Sequence, residues 1–264
     1  MLIARAICLR ELRILWRTPL PYLAFLVLLL TGVYFLAGYI KTYEELVGQF
    51  QAGFIASENA PNFVRWVILP YFETLGFFFV FIVPVLFGRL SSDDSETGAS
   101  AMIVSTGVAA LPVILGRFLA LALSAFAIIL AASLPMYFLV WQLEISFLFA
   151  HFGVFALSML VWMYVALGVA VGQSLRHPIA ASLLHFVLLL ALYFAHSMTG
   201  AIGNSIVVNL GLPFADVASA VAPVLKFRHL LEGFVRVSDV GYFMAIIVSC
   251  LLYSWVHLSQ ESHP

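Results

Sequence analysis

Few side chains in this sequence of 264 residues are of a type and spacing that could do chemistry. His185 and His196 are eleven residues apart, close to three helical turns, so a helix places both on one face. That spacing suits haem or metal ligation. Paired imidazole ligands usually come with a carboxylate or carbonyl that orients them, and the sequence offers no strong candidate. Two helix-packing histidines held by hydrogen bonds have the same spacing. Glu73 follows Pro70 inside an apolar run. An acid at membrane depth is costly and marks a functional position by default. At 1.5 Å per residue, however, Glu73 is only about 9 Å from the end of its run, within reach of the interface. Asp93, Asp94 and Glu96 form a tight acidic turn. Cys8 and Cys250 are far apart in the chain and have no metal-ligand or disulfide-framework spacing.

The elements that position these residues are apolar. Hydrophobic residues make up 64% of the chain and charged residues 9%, with a mean hydropathy of +1.09. A soluble domain is near half apolar and a quarter charged, so the composition excludes a soluble enzyme and a disordered tail. A net charge of -1 with no large basic patch excludes a nucleic-acid partner. The class is a polytopic membrane protein.

Six runs are long enough to cross a hydrocarbon core of about 30 Å. They are Leu20 to Ile40, Val67 to Gly88, Phe118 to Val140, Ser146 to Val171, Ile179 to Met198 and Val240 to Leu258. The first is too long for a signal-peptide core and no small-residue cleavage site follows it, so it is read as a transmembrane helix. Pro84 and Pro135 imply kinks. A seventh stretch, Ile206 to Leu225, contains Asn209, Gly211, Pro213, Asp216 and Pro223. Such breakers at membrane depth are tolerated only where the backbone is buried or lines water, so residues 200–239 read as an external, re-entrant segment.

Positive charge favours the cytoplasm. Arg5, Arg10, Arg13, Arg17, Arg89, Arg117 and Arg176 would lie inside in a six-helix topology, and Lys41, Arg65, Lys226, Arg228 and Arg236 outside. If Ile206 to Leu225 crossed fully, the last three would move inside. The charge rule therefore prefers seven helices, and the breakers prefer six. Residues 1–19 read as an interfacial amphipathic helix. Arg10, Arg13 and Arg17 share a face, Trp16 anchors it, and Pro19 and Pro21 turn the chain into the membrane.

Residues 89–116 read as a cytoplasmic loop: an acidic turn, a short amphipathic stretch from Ala99 to Val104, then a break at Ser105, Thr106 and Gly107 before Gly116 and Arg117. That shape suits docking of a soluble partner. The segment resembles the coupling loop of ABC-2 type transporter permeases at Asp93, Asp94, Gly98, the apolar run Met102 to Val104, Ser105, Thr106, Gly116 and Arg117. It departs at Ala99, Ala101 and Gly107, where that family usually has Thr, Glu and Pro. A second stretch, Pro223 to Phe227 with Gly233, Asp239, Tyr242 and Phe243, resembles the gliding-motility-type branch, with Lys226 in place of a histidine. Arg10, Glu11 and Leu12 followed by Thr18 and Pro19 also look like that branch.

The resemblance spans essentially the whole chain. It implies an all-α membrane protein with six transmembrane helices, an N-terminal interfacial helix and a re-entrant segment before the last helix, forming one permease domain over residues 1–264. It implies an exporter subunit in the bacterial inner membrane with both termini cytoplasmic. The partners it implies are two copies of an ABC ATPase, a second copy of the chain or a paralogous permease, and further envelope subunits. The ATPase would dock on Asp93, Asp94, Glu96, Thr97, Gly98, Met102, Ser105, Thr106 and Arg117. The chain has no Gly-x-x-x-x-Gly-Lys-Ser/Thr loop and only two lysines. No cofactor is expected on this chain; ATP and Mg would be bound by the partner.

Rival readings are weaker on sequence grounds. Ser158 and Ser182 lack the Gly-x-Ser-x-Gly setting of a rhomboid-type protease. Glu44 and Glu45, in a loop after Lys41, are misplaced for a metalloprotease. A secondary transporter would repeat its broken helix in the first half. The alternative function is a haem-handling or cytochrome-assembly protein using His185 and His196.

Overall fold

A computed structural model describes residues 2–97, 109–175, 177–202, 222–233 and 235–261, without side-chain detail at 57, 92–97, 196–202 and 261. The described residues form helices and no strands. We number the α-helices α1 (Leu2–Trp16), α2 (Leu20–Gln51), α3 (Leu69–Thr97), α4 (Ala110–Gln142), α5 (Phe147–Ser174), α6 (Pro178–Ile202), α7 (Pro223–Leu231) and α8 (Val237–Glu261). A π-helical turn, Val64–Ile68, leads into α3. Six of these elements are long and apolar enough to cross a bilayer: α2, α3 with its π turn, α4, α5, α6 and α8.

The helices outrun the apolar stretches that announce them. At 1.5 Å per residue, the 32 residues of α2 span about 48 Å, well beyond a core of about 30 Å. Lys41, Glu44 and Glu45 therefore sit on a helix rather than in a loop. The reason is local. Nothing after Ile40 breaks a helix until Gly53, whose φ of +78° suits the left-handed turn that ends it. In the same way α3 continues through Arg89 to Thr97, and α4 begins at Ala110. The expected loop over 89–116 is thus shorter than hydropathy implied. Asp93, Asp94 and Glu96 ride on a helical end, not in a turn.

Helix α5 is the centre of the bundle. Of its most apolar window, 72% is buried, against 22% for α2 and 17% each for α6 and α8. It packs on α3, α4, α6, α7 and α8. Small residues make this possible, because they let helix backbones approach closely. A Cβ at Gly153 would overlap the Phe72 ring, and one at Gly172 would overlap Phe87. Inside the bundle, several serine hydroxyls return to backbone carbonyls, which satisfies them away from water. Ser124 donates to Ala120 O, Ser133 to Ile129 O and Ser158 to Val154 O. The Tyr71 hydroxyl donates to Ala132 O, in the turn ahead of Pro135.

Pairings across helices fix the topology. Residue Ile7 of α1 lies on Gly116 near the start of α4, and Phe87 near the end of α3 lies on Gly172 near the end of α5. Residue Ser182 near the start of α6 approaches Gly88, and Ser174 shares a hydrogen bond of 2.9 Å with Tyr253 near the end of α8. These contacts define one end, the α1 end. At the other, the α7 end, Tyr39 of α2 meets Thr74 of α3 and Phe72 meets Gly153 near the start of α5. Helix α6 runs toward this end, where Tyr193 packs on Phe77. Helix α7 pairs there with Glu73 and Asp239. The helices flanking residues 203–221 therefore sit at the same end. This arrangement favours six crossings over the seven that the charge rule preferred. Most of Ile206 to Leu225 itself lies outside the described residues.

Candidate functional site: the two charged ends

At the α1 end, α1 docks on α4. Ile7, Cys8, Glu11 and Leu15 are its buried side chains. Their spacing makes one stripe of a helix, and it faces protein. An interfacial helix lying only on lipid does not describe this contact. Trp16, expected as a lipid anchor, donates its indole N–H to Ser124 Oγ at 3.1 Å. Arg13 and Arg17 are exposed and Arg10 is half-buried. The Glu11 carboxylate is 4% exposed and lies 3.6 Å from Arg10. The sequence placed Glu11 only within the Arg10-Glu11-Leu12 match and gave it no role; its place one turn after Ile7 is the signal that puts it on the buried stripe. Burial raises the Cys8 thiol pKa, which leaves it protonated and poorly reactive.

Beside α1, the end of α3 carries Asp93, Asp94, Glu96 and Thr97 on helical backbone. Gly98, Met102, Ser105 and Thr106 lie outside the described residues, so the structure does not bring together the docking set as a whole. Arg117 is half-buried in a small cleft with Leu90, Ser91 and Gln173, where α3, α4 and α5 meet.

At the α7 end, charge joins elements. Glu73 accepts from Arg228 Nε, and from Arg228 Nη2 at 3.1 Å, a two-bond fork between α3 and α7. Donating these hydrogen bonds to Glu73 holds the Arg228 pKa above its ordinary value. Glu73 thus sits near its helix start with a cationic partner on α7. Asp239, in the first turn of α8, is 1% exposed. Lys226 Nζ is 3.5 Å from its Oδ1, and His229 Nδ1 is 3.4 Å from its Oδ2. A carboxylate there also suits the positive end of the α8 dipole. Gly233, with a φ of +81°, ends α7 and allows the reversal that brings Asp239 beneath Lys226. Of the motif that the sequence singled out from Pro223 to Phe227, with Gly233, Asp239, Tyr242 and Phe243, the structure joins Lys226 to Asp239. Sequence reading gave no pairing for Glu73, because Arg228 is 155 residues away.

No protein-family model matches the chain, and no curated protein matches it.

His185 is fully buried on α6. Its Nε2 is 2.9 Å from Tyr164 O, and its ring fills the space over Gly168 edge-on to Phe87. Its Nδ1 is buried with no hydrogen-bond partner among the described residues. The side chain of His196 is outside the described detail. Among the described residues, no group of three His, Cys, Asp or Glu side chains converges as metal ligands do.

Proposed function

We propose that this chain is the membrane-spanning permease subunit of an ATP-driven transporter of ABC-2 type, working in export. The observation that carries the reading is the α1 end. There α3 continues as a helix beyond its apolar span, bearing Asp93, Asp94 and Glu96 toward the segment that joins spans two and three. Arg117 and the docked basic helix α1 stand beside it. A rigid helical lever that ends in acids, rooted in the packed centre, is what a soluble motor needs to change helix packing. Coupling of this kind requires two global states, each favoured by one nucleotide state of the motor.

In this reading two copies of a separate ATPase bind ATP and Mg and dock on residues 93–106. The pathway lies between two permeases, a second copy of the chain or a paralogue. The α1 end is cytoplasmic in this reading, because Arg5, Arg10, Arg13, Arg17, Arg89 and Arg117 belong to it. Both termini are then cytoplasmic and the membrane is a bacterial inner membrane. The α7 end holds the external segment. Further envelope subunits would bind there. The test is purification of the tagged chain from its native cell in mild detergent. A stoichiometric nucleotide-hydrolysing partner is the expected result. A preparation with no ATPase would refute the assignment, and a Soret band in its spectrum would turn the reading to haem.

A further inference from the structure

Behind the Glu73–Arg228 fork lies a cleft that the permease reading does not use. Phe35 and Tyr39 of α2, Phe77 and Phe78 of α3, and Tyr193 of α6 wall a cavity of about 290 Å³, with Glu73 at its polar edge. The rings form a continuous surface. The centroids of Phe35 and Tyr39 are 6.3 Å apart, and those of Phe77 and Tyr193 5.2 Å apart. The Tyr39 and Thr74 hydroxyls share a hydrogen bond of 2.7 Å. Helices α2 and α6, which flank the cleft, are among the least buried spans, so it borders lipid rather than the packed centre. Its size is close to the lower end of ligand pockets, about 300 Å³.

The fork has capacity to spare. A carboxylate offers about four acceptor positions and a guanidinium five donors, and two hydrogen bonds join them here. The Arg228 side chain is 49% exposed and that of Glu73 24%. A purely anionic head would gain Arg228 but meet Glu73; a purely cationic head would do the reverse. A zwitterion complements both. Its ammonium would meet the carboxylate and the ring faces, and its phosphate the guanidinium. We propose that this cleft binds the head group of a zwitterionic phospholipid, one that carries both an ammonium and a phosphate. The inference is independent of the ATPase reading, since the cleft is at the opposite end from the acidic helix of α3.

Native mass spectrometry of the delipidated full chain tests it. Phosphatidylethanolamine and phosphatidylglycerol, which lacks the ammonium, are added in equal amounts. One added polar or cation–π contact corresponds to about tenfold in affinity, so phosphatidylethanolamine should be retained about tenfold more tightly. Glu73→Gln should abolish that preference. Phe35→Ala removes a half-exposed wall without touching the fork, and should weaken phosphatidylethanolamine retention in a normally folded protein. If Glu73→Gln does not fold, Phe35→Ala decides. Equal retention of the two lipids by the unmodified chain, or an unchanged preference in both variants, would overturn the proposal.

Discussion

At the α7 end, charge is spent on structure. Arg228 ties α7 to α3, and Lys226 and His229 tie α7 to the first turn of α8 through Asp239. At the α1 end, apolar and neutral contacts join the elements, among them Ile7 on Gly116, Trp16 on Ser124 and Phe87 on Gly172. Arg13 and Arg17 remain exposed there. The difference lies in where charge is paired. Paired charges hold the short helix α7 to α3 and α8. Exposed Arg13 and Arg17 lie off the buried stripe that holds α1 to α4.

This contrast can be broken by substitution. The largest effect is expected from Asp239→Leu. It leaves the partly exposed Lys226 and His229 without their common partner, which costs about 1–3 kcal/mol, and removes a carboxylate from the positive end of α8, which costs about 0.5–1 kcal/mol more. Denaturant unfolding in detergent would measure it; a loss below about 1 kcal/mol would mean that α7 is held by packing alone. Gly153→Ala comes next. Its methyl would strike Phe72, and overpacking of this kind costs roughly 1–3 kcal/mol. The same titration reads it, and an unchanged midpoint would show that α3 and α5 can separate freely. Arg228→Gln breaks the fork at a partly exposed site, where an ion pair contributes about 1 kcal/mol or less; a modest drop in midpoint is expected, and no drop would detach the fork from stability. Arg13→Gln with Arg17→Gln should stay within about 0.5 kcal/mol of the parent, as surface changes do. A larger loss would make the α1 end as structurally charged as the other.

Much of this was legible from the sequence, unevenly. The six spans follow from apolar length, because lipid admits no other solution for the backbone. Their ends do not, since a helix stops at a breaker and not where apolar residues run out. That is why Lys41, Glu44 and Glu45 fell into an expected loop, and why the acids at 93–96 did too. The motif from Pro223 to Asp239 was recognisable as a unit because its parts are close in the chain. The Glu73–Arg228 fork was not, because hydropathy says nothing of which helices are neighbours. Arginine spacing found the exposed face of α1 but assigned the other face to lipid. The buried Glu11 shows that this face belongs to α4. For His185, helical spacing with His196 left ligation and packing both open, and the close approach to Gly168 explains its packing role.

The account rests most heavily on the α1 end as the place where a motor docks. The direct test captures the tagged chain from its native cell in three forms: unmodified, Asp93→Ala/Asp94→Ala/Glu96→Ala, and Arg228→Gln. The account predicts that an ATPase accompanies the first and the third and is lost from the second, with all three chains equally abundant and monodisperse. An ATPase retained in full by the triple variant would contradict it.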